Sequence, residues 1–228
     1  MEKTVTKKEI LNISLSVLFF IALILLIITF SIGLPIYFRP FYYVQINLRN
    51  MTEYTGWSYE VIKEAYDEVL NFLCFGTEFG TGELLFSESG KSHFEDCKIL
   101  FDLNITVFLI SFPIVVTLFI LNKKKVIEIK KLWGFNPSFY SAIFTILIPV
   151  IVGILAVIDF DTAFKVFHQI FFPGKSNWYF DPRTDQIIMV MPQEFFGSCA
   201  ALIGASLLII TISIIVFEII RKNKLNKA

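Results

Sequence analysis

The sequence predicts a mainly α-helical membrane protein: four transmembrane helices with an extracellular cap that contains an amphipathic helix and short β-strands. Three observations predict it. Apolar residues make up 55% of the 228-residue chain, more than a soluble domain of this size carries. Four apolar stretches, 11–32, 103–121, 138–158 and 200–220, each reach about the twenty residues needed to cross a bilayer. The zero net charge divides unevenly. Segments 1–10, 122–137 and 218–228 hold twelve Lys/Arg against four Asp/Glu, a net +8, and the remaining residues carry a net −8.

Short basic segments stay on the cytoplasmic side of a membrane. The charge pattern therefore puts both termini inside the cell. The long connections 36–102 and 159–196 then lie outside as a cap, and 1–228 reads as one multi-pass membrane domain. The first stretch follows Lys3, Lys7 and Lys8, as a signal peptide would. Its apolar run is too long for a cleaved signal and no small-residue cleavage site follows, so it reads as a retained span.

Beyond that span, Tyr37, Phe38, Phe41, Tyr42 and Tyr43 fit the headgroup belt. "SYEVIKEAYDEVLNFLCFG" (58–76) repeats apolar residues at helical spacing, with Ser58 as N-cap and Gly76 as stop. Its other face is acidic, which argues against an anionic lipid surface as its partner. Glu83–Phe86 is expected to be a short strand, and Ser92 to cap a helix that begins near His93 and runs into the second span. After the third span, Phe160, Phe164, Phe167, His168 and Phe171 share one helical face until Pro173 and Gly174 end the helix. "NWYFDPRTDQIIMVMPQEFF" (177–196) then reads as strand, turn at Asp181 and Pro182, strand, and a stop at Pro192.

The chain has two histidines. His93 lies ten residues before Leu103 and His168 ten residues after Ile158, so each stands roughly 15 Å beyond its span end if the lead-in is helical. Two histidines at matched height suit proton transfer near neutral pH. The plain alternative is a pair of interfacial histidines packed among aromatics. Asp96 is a candidate orienting partner on the His93 side, and Asp161, Asp181 and Asp185 on the His168 side. No HExxH spacing, GxSxG elbow or phosphate-binding glycine loop occurs, so no metal, cofactor or nucleotide is expected. The outer segments are too poor in basic residues for nucleic acid. Cys74 and Cys97 fall in one outer loop and are free to pair, while Cys199 stands apart. What remains is downhill chemistry on something presented at the outer leaflet, by transfer or by hydrolysis, or a non-catalytic membrane scaffold or sensor.

"GTGELLFSESGKSHFEDCK" and "FHQIFFPGKSNWYFDPRTD", with four spans in this order and "PQEFF" before the last, resemble the lipoprotein intramolecular transacylase (Lit) family of Gram-positive bacterial membrane proteins. The resemblance covers essentially the whole chain. It implies transfer of the sn-2 acyl chain of a diacylglyceryl-lipoprotein to the α-amino group of its N-terminal cysteine, giving the lyso-form lipoprotein. It also implies that His93 in "KSHFED" and His168 in "FHQIFF" are the catalytic acid and base, their parts open between them. Cys97 departs from the pattern, which leads one to expect an aliphatic residue there. Asp96 and Asp181 are candidate orienters, and Arg183 a candidate contact to the substrate. Phe164, Phe167, Phe171, Trp178 and Tyr42 are expected to form an apolar vestibule that excludes water.

Overall fold

A computed structural model describes residues 6–225, apart from the side chains of residues 148, 152 and 155–157. Lys3 and Lys227 of the basic terminal segments lie outside the described residues. Among the described residues the chain forms nine helices and no strand. They are α1 (Lys7–Tyr37), α2 (Pro40–Leu48), α3 (Met51–Thr55), α4 (Tyr59–Phe75), α5 (Glu88–Lys123), α6 (Pro137–Ile158), α7 (Phe160–Phe171), α8 (Ile187–Val190) and α9 (Gln193–Leu225). Helices α1, α5 and α9 are long and apolar enough to cross a membrane. The third apolar stretch forms α6, a helix of 22 residues.

The chain divides into two compact units. The first comprises Met1–Ser31, Thr106–Gly153 and Gly204–Ala228. There Phe19, Leu118 and Ile129 form a small buried cluster. Asn12 Oδ1 and Ser16 Oγ accept the backbone N–H groups of Glu128 (3.3 Å) and Lys130 (2.8 Å), so two polar side chains of an apolar helix hold the loop that follows α5. The buried Glu218 carboxylate accepts from Asn136, Ser138 and Arg221, which satisfies a charge that burial alone would penalise.

The second unit, Ile32–Ile105 and Ile154–Ile203, holds the larger core. Helix α4 begins where Ser58 Oγ accepts the Val61 N–H and ends at Gly76, whose φ of 70° suits glycine. It buries Ile62, Ala65, Tyr66, Val69, Leu70 and Leu73. A helix in a protein is stabilised mainly by packing of its apolar face, so burial of this one, about 1.5–3 kcal/mol for each large side chain, is what holds α4.

The three expected strands, at 83–86 and on either side of the turn at Asp181 and Pro182, are absent among the described residues, and at 177–180 the Tyr179 N–H instead closes a turn on the Ser176 carbonyl at 3.2 Å. At 83–86 the Thr81 hydroxyl closes a turn on the Leu84 carbonyl, and Gly82 takes a φ of 59°, leaving little extended chain. Leu85 and Gln186 then exchange two hydrogen bonds, one through the Gln186 side chain, in place of a ladder. At 187–190 the chain turns into α8 instead. Ile187 and Val190 are both buried, and residues three apart share a face only in a helix.

Helix α5 starts at Glu88, a turn before the expected Ser92, because Ser87 Oγ accepts the Gly90 N–H. Ser87 is itself held by Asp185, which is 5% exposed and accepts from Ser87 N (2.8 Å), Ser87 Oγ (2.9 Å) and Thr184 Oγ1 (2.9 Å). A Cβ on Gly90 would collide with the Asp185 carboxylate. Asp185→Ala strips three donors of a charged acceptor and is expected to cost about 2–3 kcal/mol. Thermal unfolding in detergent micelles measures this, and a midpoint equal to that of the unaltered chain would refute it.

Candidate active site

His93 rides the first turns of α5 and His168 the last turn of α7. Helix α7 is set by Asp159, whose carboxylate caps it by accepting the Thr162 N–H at 3.1 Å, and it ends before Pro173 and Gly174. The two imidazoles are 7% and 6% exposed, and their centroids stand 5.7 Å apart. His168 is stacked on Trp178 (4.5 Å, 25°) and packed on Phe164 (4.3 Å). Phe172 and Phe180 meet the His93 ring edge to face, at 5.1 and 5.5 Å.

Polar contacts inside this box are few. His168 Nδ1 lies 2.7 Å from the Phe164 carbonyl oxygen of its own helix. His93 Nε2 lies 3.3 Å from Cys97 Sγ, one turn further along α5. Burial pushes the His93 pKa down to about 4, aided by the nearby His168 and opposed by Asp96. Burial lowers His168 as well, and the bond to Phe164 opposes it in part. Both rings are therefore neutral at pH 7.

Asp96 stands beside this pair without bonding either ring. It pairs with Lys175 and accepts from Asn177 Nδ2 at 2.9 Å. Burial raises its pKa, but these two donors outweigh that and bring it below the usual carboxylate range. Its bonds hold the segment that leads to Trp178, which makes Asp96 an anchor of the box wall. Asp181 and Arg183 do not join the site. They form an exposed ion pair of 2.6 Å within one turn, which drives the Asp181 carboxyl down to about 2. Asp161 bonds Gln193 and Asp185 bonds Ser87, so neither orients His168.

Of the expected vestibule, Phe164 and Trp178 touch His168 directly. Phe167 also contacts that ring and packs on Phe171, with the two 46% and 49% exposed. Tyr42 is not part of the vestibule. It is fully buried in the core, stacked on Tyr66 at 3.6 Å, with its hydroxyl donating to the Val190 carbonyl. Three neighbours are not foreseen by the sequence: Phe172, Phe180 and the Cys97 thiol. Two of them carry a signal, the i+4 spacing of Cys97 from His93 and of Phe172 from His168. Cys74, Cys97 and Cys199 are all free thiols. Among the described residues, no group of three or more His, Cys, Asp or Glu gathers to hold a metal ion.

A family model described as lipoprotein intramolecular transacylase Lit matches residues 17–196. The chain belongs to this family. The match takes in α4, both histidines and the whole aromatic box. Among solved structures, the in meso structure of the membrane integral lipoprotein intramolecular transacylase Lit from Bacillus cereus is similar, with a TM-score of 0.81 and 24% identity over 94% of this chain and 98% of that one. Two structures of the same Bacillus cereus protein, bearing a histidine-to-arginine and a histidine-to-alanine mutation, each give 0.73 at 23% identity over 94% of this chain, and cover 94% and 96% of those chains. At that identity they speak for the Lit fold. No curated protein matches the sequence.

Proposed function

We propose that this chain moves the sn-2 acyl chain of a diacylglyceryl-lipoprotein onto the α-amino group of its N-terminal cysteine, with His168 as base and His93 as hydrogen-bond donor. The observation that carries the reading is the pair of buried histidines, 5.7 Å apart, within the Lit-family region. The substrate amine must be unprotonated to attack, and its pKa lies near 8. A carbonyl oxygen only accepts, so the proton of the neutral His168 ring sits on Nδ1, facing Phe164, and Nε2 keeps a lone pair.

As the amine nitrogen bonds the ester carbonyl carbon, its proton passes to His168 Nε2. The carbon–oxygen bond then breaks and the same proton passes to the glyceryl oxygen. No proton is gained or lost, and ester to amide runs downhill without a nucleotide. A neutral His93 N–H supports the charge that develops on the carbonyl oxygen. The cyclic transition state has about eight members, so holding both ends together is a large part of the task. The aromatic walls keep water out, which favours transfer over hydrolysis.

On this reading α1, α5, α6 and α9 are four spans of a cell-membrane protein. The basic loop after α5 and both termini are cytoplasmic, and 36–102 and 159–196 face outward. The test is a fragmentation mass spectrum of the N-terminal lipopeptide from a host that lacks the activity, with and without this chain, in water enriched in oxygen-18. One acyl on nitrogen, one on the glyceryl and no label are expected. Two acyls still on the glyceryl would sink the reading, and labelled free fatty acid would make the chain a hydrolase.

Asp96→Ala frees Lys175 and Asn177 and lets the Trp178 wall drift. The loss expected is about tenfold in N-acylation rate, the scale of one charge-assisted hydrogen bond. Asp96→Asn, which keeps an acceptor for Asn177, is expected to lose less. Equal rates in both variants and the unaltered chain would remove Asp96 from the site.

A further inference from the structure

We infer that Cys97 fixes which nitrogen of His93 carries the proton: its thiol donates to Nε2, so that Nδ1 presents the N–H to the reacting ester. The purpose assigned to that N–H rests on the transacylase reading, but the geometry and its test do not. Cys97 is one turn after His93 on α5, on the same face, with Sγ 3.3 Å from Nε2. His93 is 7% exposed, and its other nitrogen, Nδ1, is buried with no hydrogen-bond partner among the described residues. Buried polar atoms are nearly always paired, so a lone one beside a candidate reaction centre points to a partner that arrives with the substrate.

The direction of the Cys97 bond decides what Nδ1 offers. A thiol is a weak donor and a weak acceptor, whereas a bare imidazole nitrogen accepts well. S–H to Nε2 therefore uses the better acceptor of the two arrangements. Burial pushes the Cys97 pKa up to about 12, so the sulfur keeps its hydrogen at neutral pH. His93 is then the reverse of His168. One ring gives its Nδ1 proton to the Phe164 carbonyl and keeps a basic Nε2. The other spends its Nε2 lone pair on Cys97 and keeps an acidic Nδ1–H. A single carbonyl and a single thiol thus divide two chemically identical side chains into base and donor. Cys97 acts through His93 and is a positioning residue.

With only two histidines, ring nitrogen-15 labelling gives a readable long-range proton–nitrogen spectrum in micelles at neutral pH. The His93 signals are assigned by their loss in His93→Ala. The unaltered chain is expected to show His93 protonated at Nδ1. Cys97→Ala is expected to bring in the Nε2-protonated form of His93, to leave His168 unchanged, and to slow N-acylation about fivefold to tenfold, the scale of one neutral hydrogen bond. His93 protonated at Nε2 in the unaltered chain would overturn the inference, as would a tautomer indifferent to Cys97→Ala. The spectrum of the unaltered chain decides between the two tautomers even if the variant misfolds. Failure of the transacylase reading would show elsewhere, as a lipopeptide spectrum without N-acyl product beside an intact Nδ1 tautomer.

Discussion

His168→Ala is expected to lower the rate of N-acylation by about 10²–10⁴-fold, the share a positioned general base contributes. Nothing nearby takes its place. Asp96 is bound to Lys175 and Asn177, Asp181 to Arg183, Asp161 to Gln193 and Asp185 to Ser87. His93 Nε2 faces the Cys97 thiol. What survives is the holding of amine and ester together and the donor on His93, so some catalysis above the free reaction remains. The measurement is the time course of N-acyl lipopeptide in proteoliposomes, at matched amounts of membrane-inserted protein. A variant that works within threefold of the unaltered chain would take the base role from His168.

Acid is expected to slow the reaction through the substrate before it reaches the enzyme. Burial depresses both histidines below the free value of 6.5, His93 to about 4, and the charged neighbours are Asp96, which opposes this, and Lys175, which adds to it. The rings are already uncharged at pH 7, each keeping a single N–H. The amine of the substrate, with a pKa near 8, is still mostly protonated there, so the rate should fall about tenfold per pH unit below that value. From pH 8, where half the amine is already free, to pH 6 the loss is about fiftyfold. A rate–pH curve on a synthetic diacylglyceryl lipopeptide tests this, and a single break near 6.5 would show that histidine titration governs instead. Stability carries the same sign. A depressed histidine binds its proton more readily in the unfolded chain, so the stability it contributes is complete above 6.5 and is lost as pH falls toward about 4.

Long apolar runs made helices legible: the stretches at 11–32, 103–121, 138–158 and 200–220 all fall inside α1, α5, α6 and α9. Ser58 and Gly76 fixed α4 for the same local reason. The segment "IIMV" reads as strand because four apolar residues in a row carry no period, and only the burial of Ile187 with Val190 tells helix from strand. Matched distance from two spans suggests that the histidines meet, yet helix rotation about its own axis decides it, and no local pattern encodes that. Asp96 is legible as a candidate beside the histidines and its partner is not, because Lys175 lies 79 residues away. Tyr42 reads as an interfacial aromatic by position, but the flat face of Tyr66 draws it into the core.

The stack of Trp178 on His168 reaches beyond packing. An indole face attracts a cation, so under the proposed mechanism a His168 ring that takes the amine's proton does so against a surface of negative potential. An imidazolium in contact with an excited indole also drains its emission, whereas a neutral imidazole does so far less. Trp178 is thus a built-in optical gauge of the charge on His168. The other two tryptophans, Trp57 and Trp133, have no ring contact with a histidine among the described residues. Stopped-flow fluorescence can therefore watch the protonation of one side chain during turnover, with no label added to the protein or the lipid.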